Sequence, residues 1–331
     1  MIPENLKKIM QKQGYHFVGN HSTIKICEYT ANTLRGRESC YKSKFYGIDT
    51  ARCMQTSLSI GCDLSCRFCW RIIPDEINIK WNELNAVESD DPESIINGFL
   101  NEQRRIVSGY KSGGDLEVWY RANHPMHVAI SLTGESLFYR RINEIIRAFH
   151  AHGISTFIVS NGTLPEVIEK LEPPTQFYIS LQAPNKALYM LVTRPKLKSS
   201  WQRFLKSLKI MGSMKTRTAL RMSLIKGLNM SNPEGYAELI KLAMPMYVEV
   251  KGFSFVGGAR SPSRDLHYED MPSHSEVKEF AELIAKHTGY KISNEHEKSR
   301  IILLSRDDNA EKNAKINFEA LYKPSSAKTY K

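Results

Sequence analysis

Short apolar segments alternate with helical patterns along most of the chain. The predicted strands are residues 55–60, 127–132, 156–160, 176–181, 218–224 and 247–251, and the predicted helices are residues 3–13, 92–110, 138–152, 164–171, 199–211, 233–243 and 274–287. Strands and helices in alternation form a parallel sheet with right-handed crossovers. A closed eight-unit barrel needs roughly 250 residues of such units. With six strand–helix units, the sequence predicts an α/β fold built on a partial (β/α)6 TIM-like barrel.

The chain divides into three predicted segments. Residues 1–54 form an N-terminal extension that carries three cysteines, and residues 55–290 form the barrel. Residues 291–331 hold a C-terminal strand and a basic tail, with low order predicted from Asn309 onward. In parallel barrels the chemistry takes place on the loops that follow the strands. Polar motifs follow the predicted strands, so we expect the active site at the carboxyl ends of these strands.

The composition excludes several kinds of protein. A chain of 331 residues with 41% apolar residues can bury a large core, which excludes a disordered tail protein or a disulfide-dependent miniprotein. The longest apolar runs, such as residues 301–304, are far shorter than the roughly 20 residues of a membrane helix. The N-terminus has no apolar signal core. We therefore expect a cytoplasmic protein that does not enter a membrane.

All the cysteines lie in the first quarter of the chain. They are Cys27, Cys40, Cys53, Cys62, Cys66 and Cys69. A disulfide framework would cross-link the whole fold and is rare in the cytosol, so clustered thiols indicate metal ligation or redox chemistry. The alternative is that they are buried thiols acting as small hydrophobic side chains.

The last three cysteines are spaced Cys62-x3-Cys66-x2-Cys69 directly after the first predicted strand. Three thiolates on one loop can each bind one iron of a 4Fe-4S cluster, which leaves the fourth iron open to a small chelating ligand. Structural zinc sites need four ligands in paired knuckles, and no His or Cys follows Cys69 at a suitable spacing. The triplet therefore favours an iron–sulfur cluster with an open iron.

The first three cysteines follow the spacing Cys27-x12-Cys40-x12-Cys53. This spacing is too wide for a zinc knuckle. From the spacing alone, both a second cluster and a trio of core thiols remain possible.

Positive charge is concentrated between Glu172 and Glu234, where the sequence contains no acidic residue and eleven Lys and Arg residues, equal to the net charge of +11. Such a block attracts polyanions such as nucleic acids. The aromatic residues Tyr189, Trp201 and Phe204 lie among the cations, as in many surfaces on which nucleic-acid bases stack. The candidate nucleic-acid contacts are Arg194, Lys196, Lys198, Arg203, Lys206 and Lys209. The alternative is an ordinary solvated helix face.

The spacing of the Cys62–Cys69 triplet, with Phe68 before its last cysteine, is similar to the signature of the radical S-adenosylmethionine (SAM) enzymes. The order of all the cysteines resembles, more closely, the archaeal-type tRNA 4-demethylwyosine synthases. Lys42 in Cys-Tyr-Lys, residues 215–227 and residues 271–274 extend this resemblance over nearly the whole chain. It implies a partial barrel of the radical SAM type with an N-terminal cysteine-bearing extension.

The resemblance implies two 4Fe-4S clusters and S-adenosyl-L-methionine as cofactors. The second cluster would be held by Cys27, Cys40 and Cys53, and its open iron would meet the cosubstrate pyruvate, with which Lys42 would form a Schiff base. Contacts to SAM are implied for Gly134, Glu135, Asn161, Ser180, Gln182 and Arg221. Ser136 stands where the family's Gly-Glu motif is usually followed by Pro.

The implied activity is that of a carbon–carbon lyase that modifies tRNA. A radical derived from SAM removes a hydrogen from the N1-methyl group of N1-methylguanosine beside the anticodon of tRNA-Phe, and the resulting carbon radical attacks the pyruvate-derived imine. Loss of the pyruvate carboxyl carbon and ring closure onto the exocyclic amine then give the tricyclic base. We expect an external electron donor of the flavodoxin or ferredoxin type and a monomeric enzyme. The alternatives are a radical SAM maturase or methylthiotransferase-like enzyme acting on a peptide or another RNA, and a non-catalytic iron–sulfur RNA-binding protein.

Overall fold

A single ten-stranded sheet organises the protein. The computed structural model describes residues 2–85 and 89–321. The strands are β1 (His16–Val18), β2 (Ser22–Ile24), β3 (Cys53–Ser57), β4 (His127–Ile130), β5 (Ser155–Ser160), β6 (Gln176–Ser180), β7 (Arg217–Arg221), β8 (Tyr247–Lys251), β9 (Lys291–His296) and β10 (Ile301–Ser305). The helices are α1 (Glu4–Lys12), α2 (Glu28–Leu34), α3 (Tyr41–Tyr46), α4 (Pro92–Ser108), α5 (Leu116–Ala122), α6 (Ile142–Ala151), α7 (Pro165–Ile168), α8 (Lys186–Thr193), α9 (Ser200–Met211), α10 (Pro233–Ala243), α11 (His274–Thr288), α12 (Asp308–Lys312) and α13 (Phe318–Leu321).

The centre of the sheet consists of six parallel strands, β3 to β8, in chain order. An antiparallel hairpin, β1–β2, extends the sheet beyond β3, and the antiparallel strands β10 and β9 extend it beyond β8. Within the described residues the sheet does not close on itself, since β1 and β9 are its two edges. The predicted α/β fold with a partial, six-unit parallel barrel is confirmed, and the parallel strands form an open sheet in the described ranges.

The two faces of the sheet have different coverings. On the outer face, residues such as Val128, Ile158 and Ile179 pack against the crossover helices in the main core. On the inner face, Phe157 and Tyr178 belong to a second core that is built against helix α3. Successive side chains of a strand point to opposite faces, so this alternation is what divides the two cores.

Helix α3 covers the inner face of the sheet, which is the face opposite the crossover helices. Its Tyr41, Phe45 and Tyr46 side chains are buried against the inner face of the sheet. The helix begins after Cys40, and Gly47 ends it with a φ of 77°, a left-handed conformation that glycine adopts without strain. Because α3 occupies this place, the residues that flank it lie inside the barrel.

Most strand and helix predictions agree with the structure, with shifted ends. The first parallel strand is Cys53–Ser57 rather than 55–60. The sequence does not predict helices α2, α3, α5, α8, α12 and α13 or the hairpin β1–β2, and it predicts one C-terminal strand where the structure has two, β9 and β10. The hairpin strands are three residues each, which is too short for a periodic hydrophobic pattern to be recognised.

The ends of the chain are more integrated than the sequence predicts. The predicted boundary after residue 54 falls inside β3, so Cys53 is part of the sheet. The prediction of low order from Asn309 onward is wrong for residues 309–321, because Ala310 is buried and the Ile316 backbone N–H donates to the Tyr46 carbonyl at 3.0 Å. Residues 322–331 of the predicted tail lie outside the described residues.

None of the helices in the described ranges combines the length and the apolar composition that crossing a bilayer requires.

Candidate active site

The triplet Cys62, Cys66 and Cys69 lines a cavity of about 120 Å³ at the carboxyl ends of the parallel strands. The same cavity is lined by five of the residues predicted to contact SAM, namely Gly134, Glu135, Asn161, Ser180 and Gln182. The structure thus brings three predicted cluster ligands and five predicted cofactor contacts to one place. Arg221 is not among the residues that line this cavity.

The cysteine loop is fixed by the backbone of its neighbours. The N–H groups of Ser65 and Arg67 donate to the carbonyls of Thr193 and Val192, each at 2.9 Å. The Arg264 guanidinium is almost fully buried, donates to the Cys66 carbonyl at 2.7 Å and pairs with Glu76 at 2.7 Å. These contacts hold the loop in one shape before any ligand binds.

The donor set of this loop fits an iron–sulfur cluster. Burial raises the pKa of the Cys62 and Cys66 thiols well above the usual value. The charge of Asp63 raises the pKa of Cys62 further, and that of Cys69 raises the pKa of Cys66 further. Buried thiolates need a cationic partner, which a cluster supplies. No group of three or more Cys, His, Asp or Glu side chains in the described part of the chain converges closely enough for one ion. A cluster does not require such convergence, since each thiolate binds a different iron.

The Gly134–Glu135 motif connects the ends of three strands. Gly134 has a φ of 67°, and a side chain at this position would collide with the Ser59 carbonyl oxygen, so only glycine fits. The Glu135 carboxylate accepts hydrogen bonds from the backbone N–H groups of Asn161 at 2.7 Å and Leu137 at 3.1 Å. Burial raises the pKa of Glu135 to about 7.

Asn161 lies between the cysteine loop and its own turn. Its amide nitrogen donates to Asp63 at 2.8 Å and lies 3.6 Å from the Cys62 sulfur, and its side-chain oxygen accepts from the Thr163 N–H at 2.9 Å. Two other buried groups at the cavity, Gln182 Oε1 and the Tyr189 hydroxyl, lack a hydrogen-bond partner in the described part of the chain. Tyr189 was predicted to stack on a base, but the structure makes it a wall of this cavity.

The other three cysteines meet at helix α3. Cys27 and Cys40 immediately precede α2 and α3, and Cys53 is the first residue of β3. Burial raises the pKa of Cys40 to about 11 and that of Cys53 to about 12. The Lys42 ammonium lowers the pKa of all three thiols. The charge of Cys27 raises the pKa of Cys40 and of Cys53. Each of the three thiols is therefore near enough to Lys42 for its charge to lower the thiol pKa.

Lys42 is buried, with 8% of its surface exposed. Its Nζ lies 5.5 Å from the centre of the Phe157 ring and 5.4 Å from that of Tyr178, on the inner face of the sheet. No carboxylate in the described ranges lies within ion-pairing distance of Nζ. Burial, and next the Arg221 guanidinium, lower the pKa of Lys42 from its usual value.

Arg221 belongs to the surroundings of Lys42. Its Nε donates to Glu249 at 2.6 Å, and its guanidinium lies 4.5 Å from the centre of the Tyr178 ring. Glu249 is fully buried and also accepts from the hydroxyls of Tyr46 at 2.8 Å and Tyr41 at 3.2 Å. Burial alone would raise the pKa of Glu249, but the Arg221 guanidinium outweighs it and the pKa lies below its usual value.

The basic block lies partly at the rim of the first cavity. The Lys196 backbone N–H donates to the Asp63 carbonyl at 2.9 Å, and the Arg203 guanidinium donates to the Thr163 carbonyl at 2.6 Å. Arg194, Lys198 and Lys209 are exposed. The block thus runs beside the cysteine loop and the Asn161 turn.

The absence of acidic residues from this stretch of sequence does not leave all of its cations unpaired in the folded protein. Carboxylates from outside the stretch pair with five of its cations, in the ion pairs Lys196–Asp75, Arg203–Glu166, Lys206–Glu166, Arg221–Glu249 and Lys226–Glu276. The stacking surface is also absent from the described structure, since Tyr189 and Phe204 are buried and Trp201 packs against both.

Comparison with known proteins agrees with this arrangement. The family model of the radical SAM superfamily matches residues 56–240, and that of wyosine base formation matches residues 242–306. The S-adenosyl-L-methionine-dependent tRNA 4-demethylwyosine synthase of Pyrococcus abyssi is 40% identical over 319 residues, which cover 93% of this chain and 90% of the relative.

Two solved structures are similar over nearly the whole chain. A structure of TYW1 with a lysine–pyruvate adduct bound has a TM-score of 0.83 at 35% identity and covers 96% of this chain and 100% of that chain. A crystal structure of archaeal TYW1 has a TM-score of 0.73 at 34% identity, and the match covers 96% of this chain and 99% of that chain. The chain therefore belongs to the radical SAM superfamily and, within it, to the family of tRNA 4-demethylwyosine synthases.

Proposed function

We propose that the protein condenses pyruvate with N1-methylguanosine beside the anticodon of tRNA-Phe, as a carbon–carbon lyase. The observation that carries this proposal is Lys42, which is buried on the inner face of the sheet beside a cysteine trio. A radical SAM enzyme that acted without a keto acid would not require a lysine there. The relative described with a lysine–pyruvate adduct has the same fold over 96% of this chain.

Lys42 would act on pyruvate as a nucleophile. Its amine adds to the ketone carbon, a carbon–nitrogen double bond forms, and the ketone oxygen leaves as water. The Phe157 and Tyr178 rings close the space around Nζ. They exclude bulk water, which would otherwise hydrolyse the imine.

The superfamily implies one 4Fe-4S cluster and SAM, and we propose a second cluster. Cys62, Cys66 and Cys69 would hold the first, and Cys27, Cys40 and Cys53 would hold the second. When bound, the first cluster and SAM supply the carbon-centred radical that removes hydrogen from the methyl group. The chain's own contribution is to fix the ligands, through Arg264 and the Gly134–Glu135 turn, and to keep the space dry.

The segments proposed from the sequence keep their roles in this account. Residues 1–54 would bring the ligands of the second cluster and Lys42, and residues 55–290 would bind the first cluster and SAM. Residues 291–331 would supply the C-terminal strand and the basic tail. We further propose a monomeric, cytoplasmic enzyme that receives electrons from an external flavodoxin or ferredoxin.

The tRNA would enter over the first cavity, because the basic block borders it. The target guanine would have to leave its stack to reach the cavity, as bases do in enzymes that modify them. Arg194, Lys196, Lys198, Arg203, Lys206 and Lys209 remain the proposed contacts. The exposed members are the better candidates for phosphates, since Arg203 is already engaged by Glu166 and Thr163.

Replacing Lys198 and Lys209 by glutamate should weaken tRNA binding several-fold and make the affinity less dependent on salt. Each lost phosphate contact lowers the slope of log affinity against log salt by about 1. Binding is measured by filter retention between low and physiological salt. The matched control reverses Lys241 and Lys286, which are exposed on α10 and α11. An equal loss in both variants would show that only net charge matters.

Anaerobic incubation with N1-methylguanosine-containing tRNA-Phe, SAM and a strong reductant tests the function. Mass spectrometry of the digested tRNA should detect the tricyclic base only when pyruvate is also present. Formation of 5′-deoxyadenosine with a pyruvate-independent product would favour the maturase or methylthiotransferase-like alternative. Retention of tRNA without any 5′-deoxyadenosine would favour the non-catalytic RNA-binding protein.

A further inference from the structure

Arg221 is held rigidly on the inner face of the sheet. Its Nε is paired with the buried carboxylate of Glu249 at 2.6 Å, and its guanidinium lies over the Tyr178 ring at 4.5 Å. Glu249 is itself fixed by the Tyr41 and Tyr46 hydroxyls. The direction in which the remaining N–H groups of Arg221 point is therefore set by the fold.

One end of this guanidinium has no acceptor. The Nη2 atom of Arg221 is buried and lacks a hydrogen-bond partner within the described residues. Buried N–H groups in native proteins are almost always bonded, and leaving a charged donor unsatisfied is costly. An acceptor from outside the chain would satisfy it, and a guanidinium prefers a carboxylate.

The unsatisfied donor lies close to Lys42. Lys42 Nζ and the Arg221 guanidinium are 5.4 Å and 4.5 Å from the centre of the same ring, that of Tyr178. Lys251 follows Glu249 by two residues on β8, so its side chain leaves the same face of the sheet. Arg221 is thus the donor on this face whose charge persists at neutral pH while Lys42 acts as an amine.

We propose that Arg221 binds the carboxylate of the keto acid whose ketone carbon is attacked by Lys42, and thereby selects 2-keto acids over other carbonyl compounds. This inference rests on the proposed imine chemistry of Lys42. It moves Arg221 from the SAM contacts expected from the sequence to the binding of the cosubstrate. The ketone and the carboxylate of a 2-keto acid are on adjacent carbons, so the neutral amine of Lys42 and the guanidinium of Arg221, which both border the Tyr178 ring, can engage one group each.

The test uses borohydride to trap the imine on the holoenzyme, without SAM or tRNA. The trapped mass on the peptide that carries Lys42 is followed as a function of the concentration of pyruvate or of methyl pyruvate, which has no carboxylate. Arg221→Lys keeps a cation for Glu249 but loses the free N–H. We expect half-maximal trapping to need ~10–100-fold more pyruvate in this variant, the scale of a hydrogen bond to a charged group, with methyl pyruvate unchanged.

Two further variants complete the test. The pair Arg221→Gln with Glu249→Gln removes both charges, so that no buried carboxylate is left unpaired, and should show the same selective loss. Arg217→Lys is the control, because Arg217 lies on the same strand but donates to the carbonyls of Asn313 and Ala314 at 2.7 Å. An unchanged pyruvate dependence, or an equal loss with both carbonyl compounds, would overturn the inference. Failure of the unmodified enzyme to trap pyruvate on Lys42 would instead refute the imine step itself.

Discussion

Replacing Lys42 by arginine should reduce formation of the tricyclic base by at least about a thousandfold, the scale of losing a catalytic nucleophile. Arginine keeps the positive charge, but its guanidinium remains protonated and cannot form an imine. The iron content and the cleavage of SAM in the absence of tRNA should be unchanged. Product is measured by mass spectrometry of tRNA digests, and 5′-deoxyadenosine is measured in the same samples.

Lys44→Arg is the matched control for this change. Lys44 lies two residues further along α3, is exposed, and donates to the Glu295 backbone carbonyl at 2.6 Å. It should behave as the unmodified enzyme does. If Lys42→Arg formed product near the normal rate, Lys42 would be an electrostatic clamp for the cosubstrate rather than a covalent catalyst.

Changing each of the two cysteine trios to alanine in a separate variant should distinguish the roles of the two proposed clusters. By the ligand count, the unmodified chain should bind about eight irons and either triple alanine variant about four. The Cys62, Cys66 and Cys69 variant should lose SAM cleavage, because its cavity holds the proposed SAM contacts. The Cys27, Cys40 and Cys53 variant should keep SAM cleavage and lose the tricyclic product, because this trio surrounds Lys42.

The iron content and the amount of 5′-deoxyadenosine are measured on the same preparations, and they show which cluster each trio holds and which one SAM cleavage needs. A chain that never held more than about four irons would refute the second cluster. Loss of all iron from either variant would show that the two sites are not independent.

The parallel core and the cysteine loop could be predicted from the sequence. Buried parallel strands are continuous apolar runs, such as residues 128–130, and they are separated by long helical patterns, so their order follows from chain order. The carboxyl ends of such strands meet at one edge of the sheet. This is why Glu135, Asn161 and Gln182 were expected beside Cys62 and are found there.

The surroundings of Lys42 could not be predicted in this way. Helix α3 is only six residues long, and its place inside the barrel depends on contacts with strands that are more than a hundred residues away, such as Tyr178. The pairing of Arg221 with Glu249 likewise joins neighbouring strands whose register the sequence does not state. For this reason Arg221 was assigned to the other cavity.

The charge of the basic block shows a second limit. A stretch of sequence without acidic residues was interpreted as a surface without acidic residues. Glu166 and Asp75, which precede the stretch, fold onto it and pair with Arg203 and Lys196. Local charge patterns predict net charge well, but they do not predict which cations remain free, because ion pairs form between distant segments.

We expect the methyl group of the target guanine to lose a hydrogen to the SAM-derived radical and its carbon then to join the pyruvate held on Lys42. The most direct measurement uses tRNA-Phe whose N1-methylguanosine carries a trideuterated methyl group, incubated anaerobically with SAM, reductant and pyruvate labelled with carbon-13 at carbons 2 and 3, the carbons that are not lost with the carboxyl group. We predict that deuterium appears in 5′-deoxyadenosine and that labelled pyruvate carbons appear in the tricyclic base. Tricyclic base accompanied by 5′-deoxyadenosine without deuterium, or free of the pyruvate label, would contradict this account.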